Sequence, residues 1–156
     1  MADTGAAAVL GALFEPALRR RSAERGFTLV NVGNSHTVAF LVHQDRVHGV
    51  YEHHTGLLDA ERLWGQLARF RKGLLPFEEV FDDRGHGAMH LPLPEAAGGF
   101  ADTVVIGPRR GMLEGFDAEF PAPGGDMMLT GSFGLVEGLR RQGRLPAFAD
   151  RRAGGR

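Results

Sequence analysis

The chain has 156 residues, 43% hydrophobic and 24% charged, with a formal net charge of −1. That is the composition of one globular domain, able to bury about 70% of its unfolded surface, and its near-neutral charge gives no electrostatic argument for a nucleic-acid or membrane partner. The absence of cysteine excludes a disulfide framework, thiolate-ligated zinc, a cysteine-held iron–sulfur cluster and a thiol nucleophile, and is compatible with a cytoplasmic location.

Residues 3–15, DTGAAAVLGALFE, read as a helix of small residues with Asp3 or Thr4 as its N-cap. The apolar stretch 6–14 is too short to span a bilayer, and Asp3 stands where a signal peptide carries basic residues. Pro16 begins a further turn, and RRRSAERG carries the chain across the surface. Three strands are expected at 27–32, 37–43 and 46–55, the last two joined tightly through Gln44-Asp45. The unbroken apolar run 38–42 suits a central strand covered on both faces. Residues 58–72 give the clearest helix: Asp59 caps it, Leu63, Leu67, Phe70 and Leu74 recur at helical spacing, and Gly73 ends it. Trp64 and Phe70 on this helix read as core. A short helix at 78–82 gives way to a long loop, DDRGHGAMHLPLPEAAGG. A buried strand at 103–106 enters the turn GPRRG, and another strand is expected near 118–120. Last comes GDMMLTGSFGLVEGLRRQG, ending in a helix whose Gly131, Gly134 and Gly138 share a face that allows close approach to a sheet. Residues 144–156 have the composition of a flexible tail.

The order is a helix, then β-β-β-α-β-α-β-α. This is an α/β fold, with three antiparallel strands followed by right-handed crossovers in a mixed sheet that carries helices on both faces. That order, with these turns, resembles the second lobe of the actin, heat-shock chaperone and sugar kinase superfamily, whose members close two ribonuclease-H-like lobes on ATP. Four stretches carry the resemblance in sequence order. DTGAAAVLGAL is similar to the first connecting helix, and LVNVGNSHTVAFLV to the second phosphate motif, a hairpin usually reading Asp-x-Gly-x-x-Thr. TVVIGPRRG is similar to the adenosine motif and GDMMLTGSFGLVEG to the second connecting helix. More narrowly, VNVGNSHT, EHHTG, FDDRGHGA, GPRR and GDMML together resemble an uncharacterised family within that superfamily, over about residues 3–140, whose members carry the label of pyruvate formate-lyase activating enzymes. Activation of that kind needs a cysteine-bound cluster, which a chain without cysteine does not supply, so the label is not adopted as chemistry.

The resemblance implies a connecting helix and lead-in over 1–26, a ribonuclease-H-like lobe over 27–143 and a tail over 144–156. Relatives have an upstream lobe with the first phosphate motif, so it also implies that the chain is the C-terminal half of a longer protein. The missing N-terminal lobe would then be its partner, and the apolar face of the first helix would favour a homo-oligomer in its absence. The implied ligand is ATP or a related nucleotide with Mg²⁺, with ATPase or phosphotransferase activity only when a partner lobe completes the cleft.

Two readings of 31–37, NVGNSHT, stand side by side. Asn and Gly favour turns whatever the ligand; equally, glycine permits close backbone approach and successive amides form an anion nest. By the resemblance, the amides of Gly33, Asn34, Ser35 and His36 would face phosphate, Thr37 would donate its hydroxyl, and Asn31 would orient water or a phosphate oxygen. Asn31 replaces an aspartate usual in active relatives and brings no negative charge to Mg²⁺, which favours a non-catalytic assembly or regulatory lobe as the alternative. Gly107, Pro108 and Arg109 would lie near the base or ribose. Pro108 stands where relatives carry glycine and removes an N–H donor, and Arg110 reads as solvated. A second alternative, from another class, is a metal enzyme built on His53, His54, Asp82, Asp83 and His86, with His90 nearby. Imidazole and carboxylate suit zinc, manganese or iron, although strand alternation sends His53 and His54 to opposite faces. His43 and His48 flank a hairpin and are expected to be exposed. Ser35 and His36 are neighbours in sequence, the wrong relation for a nucleophile and its base, and neither a Gly-x-Ser-x-Gly elbow nor a Walker loop is present.

Overall fold

A computed structural model describes residues 4–145. Helices α1 (Thr4–Ala12) and α2 (Pro16–Glu24) lead into strands β1 (Phe27–Val32), β2 (His36–His43) and β3 (Arg46–His54). Helices α3 (Ala60–Phe70) and α4 (Phe77–Asp82), strands β4 (Gly87–His90) and β5 (Thr103–Ile106), and helix α5 (Thr130–Arg141) follow, linked by short 3₁₀ turns. The five strands form one mixed sheet in the order β4-β3-β2-β1-β5. The pairs β1–β2, β2–β3 and β3–β4 are antiparallel, and β1–β5 is parallel.

Strand alternation divides the core in two. Leu29, Phe40, Val42, Val104 and Ile106 face α1, where Ala8, Val9, Ala12 and Leu13 cover them. Val30, Val32, Ala39, Leu41, Tyr51 and Val105 face Leu63, Leu67 and Phe70 of α3. The Asp59 carboxylate caps α3 by accepting from the Arg62 N–H at 2.8 Å. Trp64 packs at the rim of this core against Phe116, with Arg71 over its ring.

Several expectations are corrected. Leu74 is exposed, because α3 ends at Phe70 and Gly73 turns the chain at φ +70°, which hands the buried place to Leu75. The loop after α4 contains β4, four residues that pair with 49–52 of β3 and whose glycine-rich flanks conceal them in sequence. The strand expected near 118–120 is a single parallel rung between Val104 and Glu119. The glycine face of α5 meets α1 rather than the sheet: a Cβ on Gly134 would lie 1.8 Å from the Ala7 carbonyl oxygen, and one on Gly11 1.9 Å from that of Thr130. Asp3, and the expected tail from residue 146 onward, lie outside the described residues. Among the described residues, no helix is long and apolar enough to cross a membrane.

His43 is also buried, at 3% exposure, and His48 is half-buried, where both were expected at the surface. The reason is α2, which folds over the hairpin: Ser22 accepts from the Gln44 N–H (2.7 Å) through its carbonyl and from the Asp45 N–H (3.3 Å) through its hydroxyl. Burial, and secondarily His48, hold the His43 pKa below the ordinary imidazole value. The unfolded chain therefore takes up the proton first as pH falls through about 6.5, and stability is lost below that point. The urea midpoint should fall between pH 7 and pH 5, and His43→Leu should flatten that slope. An unchanged slope in the variant would place the titration elsewhere.

Candidate functional site

Because β1 and β5 run parallel, their C-terminal residues Val32 and Ile106 reach the same end of the sheet, the position at which parallel strands present ligand contacts. Beyond Ile106 the chain turns sharply at Gly107, whose φ is +100°. The Arg109 N–H donates to the Val32 carbonyl at 3.0 Å and ties this turn to the end of β1. A cavity of about 440 Å³ opens there, within the range of small-molecule sites. Asn31, Gly107 and Pro108 form one wall, Thr4 and Ala7 of α1 another, and Met127, Thr130 and Leu135 close it. The lining is apolar with a few hydrogen-bonding groups, and among the described residues no cationic side chain lines it. Such a wall suits a flat, uncharged group better than a phosphate.

The expected site residues are thus divided. Asn31, Gly107 and Pro108 meet at the cavity, while Arg109 is exposed and outside its lining. Arg110, expected to be solvated, is half-buried, with Nη1 lacking a partner among the described residues. Asn34 and Ser35 are exposed at the hairpin tip. The Gly33 N–H already donates to the His36 carbonyl at 3.0 Å, closing a two-residue turn. Thr37 is buried, with its hydroxyl 2.9 Å from that of Thr55.

His36 belongs to a different constellation. It is the cross-strand partner of His54, in the last rung of the β2–β3 ladder. His86 reaches the same place because its N–H donates to the Glu52 carbonyl at 2.9 Å. One ligand atom from each of the three imidazoles lies within 4.8 Å of the others. Desolvation, then His36 and His86, lower the His54 pKa and favour its neutral form.

Strand alternation does separate His53 from His54. The buried His53 ring places Nε2 2.8 Å from the Asp83 carboxylate and Nδ1 3.2 Å from the His54 carbonyl oxygen. Arg62 pairs with the same carboxylate, and that bond, more than His53, holds Asp83 below the usual carboxylate range. Of the five metal ligands considered from sequence, His54 and His86 come together, His53 and Asp83 form a separate pair with Arg62, and Asp82 joins neither. His36 is the member of this histidine cluster that the sequence reading missed, and the signal was the hairpin register. From the Gln44-Asp45 turn, His43 pairs with Arg46 and Val42 with Val47, which would set His36 opposite His53. A bulge then skips His48, so that Leu41 pairs with Gly49 and His36 with His54.

A comparison with family models matches residues 1–112 to the family described as "Putative pyruvate format-lyase activating enzyme (DUF1786)". No curated protein and no solved structure matches the chain.

Proposed function

The chain belongs to this family, and we propose that it is a nucleotide-binding lobe with a ribonuclease-H-like sheet, one wall of an actin-like cleft. The observation that carries this reading is the convergence of Asn31, from the end of β1, with Gly107 and Pro108, from the turn after β5, on a single cavity at the carboxyl ends of two parallel strands. The order β3-β2-β1-β5, with the parallel rung at Glu119 beyond β5, supports the ribonuclease-H-like part. The apolar cavity takes the nucleoside, and the phosphates extend toward the hairpin tip at Asn34 and Ser35. The opposite wall comes from another protein segment. The chemistry in the family's description does not fit this chain, whose donor set contains no cysteine to hold an iron–sulfur cluster. Asn31 favours binding without turnover, in an assembly or regulatory role, because an amide adds no charge to a Mg²⁺ shell.

With only one wall present, adenosine and ATP should bind with a Kd on the order of 0.1–1 mM. In titrations followed by amide NMR, the Asn31, Gly107 and Gly131 resonances should shift together, and Leu135→Trp, which fills the cavity, should remove the shifts. Silence of these resonances at ~5 mM ligand would overturn nucleotide binding. Sub-micromolar MgATP affinity would overturn the single-wall assignment.

A further inference from the structure

We propose that His36, His54 and His86 form a binding site for a first-row transition-metal dication of the imidazole-seeking kind, zinc being the probe of choice. This site goes beyond the nucleotide reading and does not rest on it.

The backbone brings the three residues together. His36 and His54 are directly opposed on one face of an antiparallel pair, where Cβ atoms stand about 5 Å apart. The end of that pair is clamped twice, by the Thr55 N–H donating to the Ser35 carbonyl at 2.9 Å and by the Thr37–Thr55 hydroxyl contact. The third ligand hangs from a loop with little freedom. The Gly85 N–H donates to the Val80 carbonyl at 2.8 Å, and the His86 N–H to that of Glu52. At Gly87, φ is +115°, and a Cβ would fall 2.2 Å from the Phe77 ring. The segment between α4 and β4 is therefore tied at Gly85 and His86, and it delivers His86 to the other two rings.

The donor chemistry is equally specific. Neutral imidazole suits zinc, copper, iron and nickel, whereas magnesium and calcium require oxygen. Around a tetrahedral zinc with Zn–N bonds of about 2.0–2.1 Å, ligand nitrogens stand roughly 3.4 Å apart, so atoms already within 4.8 Å of one another need to approach by little more than about 1 Å. The neighbouring histidines His53 and His90, on the opposite face of the sheet, are already engaged: His53 bonds Asp83, and His90 Nε2 lies 2.8 Å from the Phe70 carbonyl oxygen. Among the described residues, no protein group hydrogen-bonds the ring nitrogens of His36, His54 or His86. His86 is exposed and the other two half-buried, so a bound ion would keep a coordination position toward solvent. Three protein ligands with an open fourth position is the arrangement of catalytic rather than structural zinc.

The test is a titration of tag-free, chelator-stripped full chain with Co²⁺, read by its visible d–d bands. Saturation at one equivalent with the intense bands of four-coordination is expected, bleached by Zn²⁺ and untouched by excess Mg²⁺. His54→Ala and His86→Ala should each weaken binding on the order of 100-fold. His48→Gln, about 20 Å away along β3, should leave it unchanged. Absence of a saturable cobalt spectrum, or equal binding by the two alanine variants with circular dichroism intact, would overturn the site.

Discussion

Gly134→Ala should lower stability by about 3 kcal/mol, read as a fall in the urea unfolding midpoint, although alanine alone would favour the helix by about 1 kcal/mol. The opposing term is the crossing of α5 over α1. A Cβ at Gly134 would lie 1.8 Å from the Ala7 carbonyl oxygen, 2.7 Å from its carbon and 2.9 Å from the Gly11 nitrogen. All three are backbone atoms, so no rotamer change relieves them, and the helices must separate. Separation exposes the other face of α1, where Ala7 and Gly11 are buried against α5. Gly11→Ala attacks the same crossing from the other side, at 1.9 Å from the Thr130 carbonyl oxygen. Once one substitution has forced the helices apart, the second meets less resistance, so the double variant should cost less than the sum. Gly65→Ala supplies the control. That position lies within α3, is exposed and has nothing within 4 Å of an added Cβ, so the change should stabilise by about 0.5–1 kcal/mol. If Gly134→Ala raised the midpoint as Gly65→Ala does, the two helices would not cross at backbone distance.

The same crossing shows what the sequence could and could not specify. Helical spacing identifies the small face of α5, but not whether a sheet or a helix receives it, since either tolerates close approach. The β1–β2–β3 meander was legible because Val, Leu, Phe and Thr fill β1 and β2 between clear turn residues, and Gln44-Asp45 fixed the first rung. What escaped was a bulge of one residue at His48, which inverts the faces of everything beyond it and decides which of two adjacent histidines meets His36. β4 escaped because four residues carry too little pattern, and its edge position depends on Glu52 and Tyr51 finding partners, a tertiary matter. Asn31, Gly107 and Pro108 were legible as a group only through the order of motifs; no local feature of either segment announces that a parallel pair will set them side by side. The buried histidines depended on α2, whose arginine-rich sequence reads as a surface crossing yet covers the β2–β3 turn with Ser22.

Gly107→Ala should cost about 3 kcal/mol and remove the ligand-induced NMR shifts at Asn31, for two separable reasons. The first is conformational: φ of +100° is open to glycine and strained for any residue with a Cβ. The second is steric, since the new methyl would stand 2.5 Å from both the Asn31 Oδ1 and the Val32 carbonyl oxygen. The side chain of Asn31 can swing away, but doing so takes its amide out of the cavity wall. The Val32 carbonyl cannot move freely, because it accepts the Arg109 N–H that holds the turn. Combining Gly107→Ala with Asn31→Ala should therefore recover only the part of the cost that belongs to the asparagine, about 1 kcal/mol, and should not restore ligand shifts at Gly131. Pro108→Ala provides the contrast: its ring lines the cavity on an exposed turn, so the substitution should leave the unfolding midpoint nearly unchanged while altering ligand affinity. A Gly107→Ala protein with the wild-type midpoint would show that the turn does not take this course, and the cavity would then lose the residue that brings β5 against Asn31.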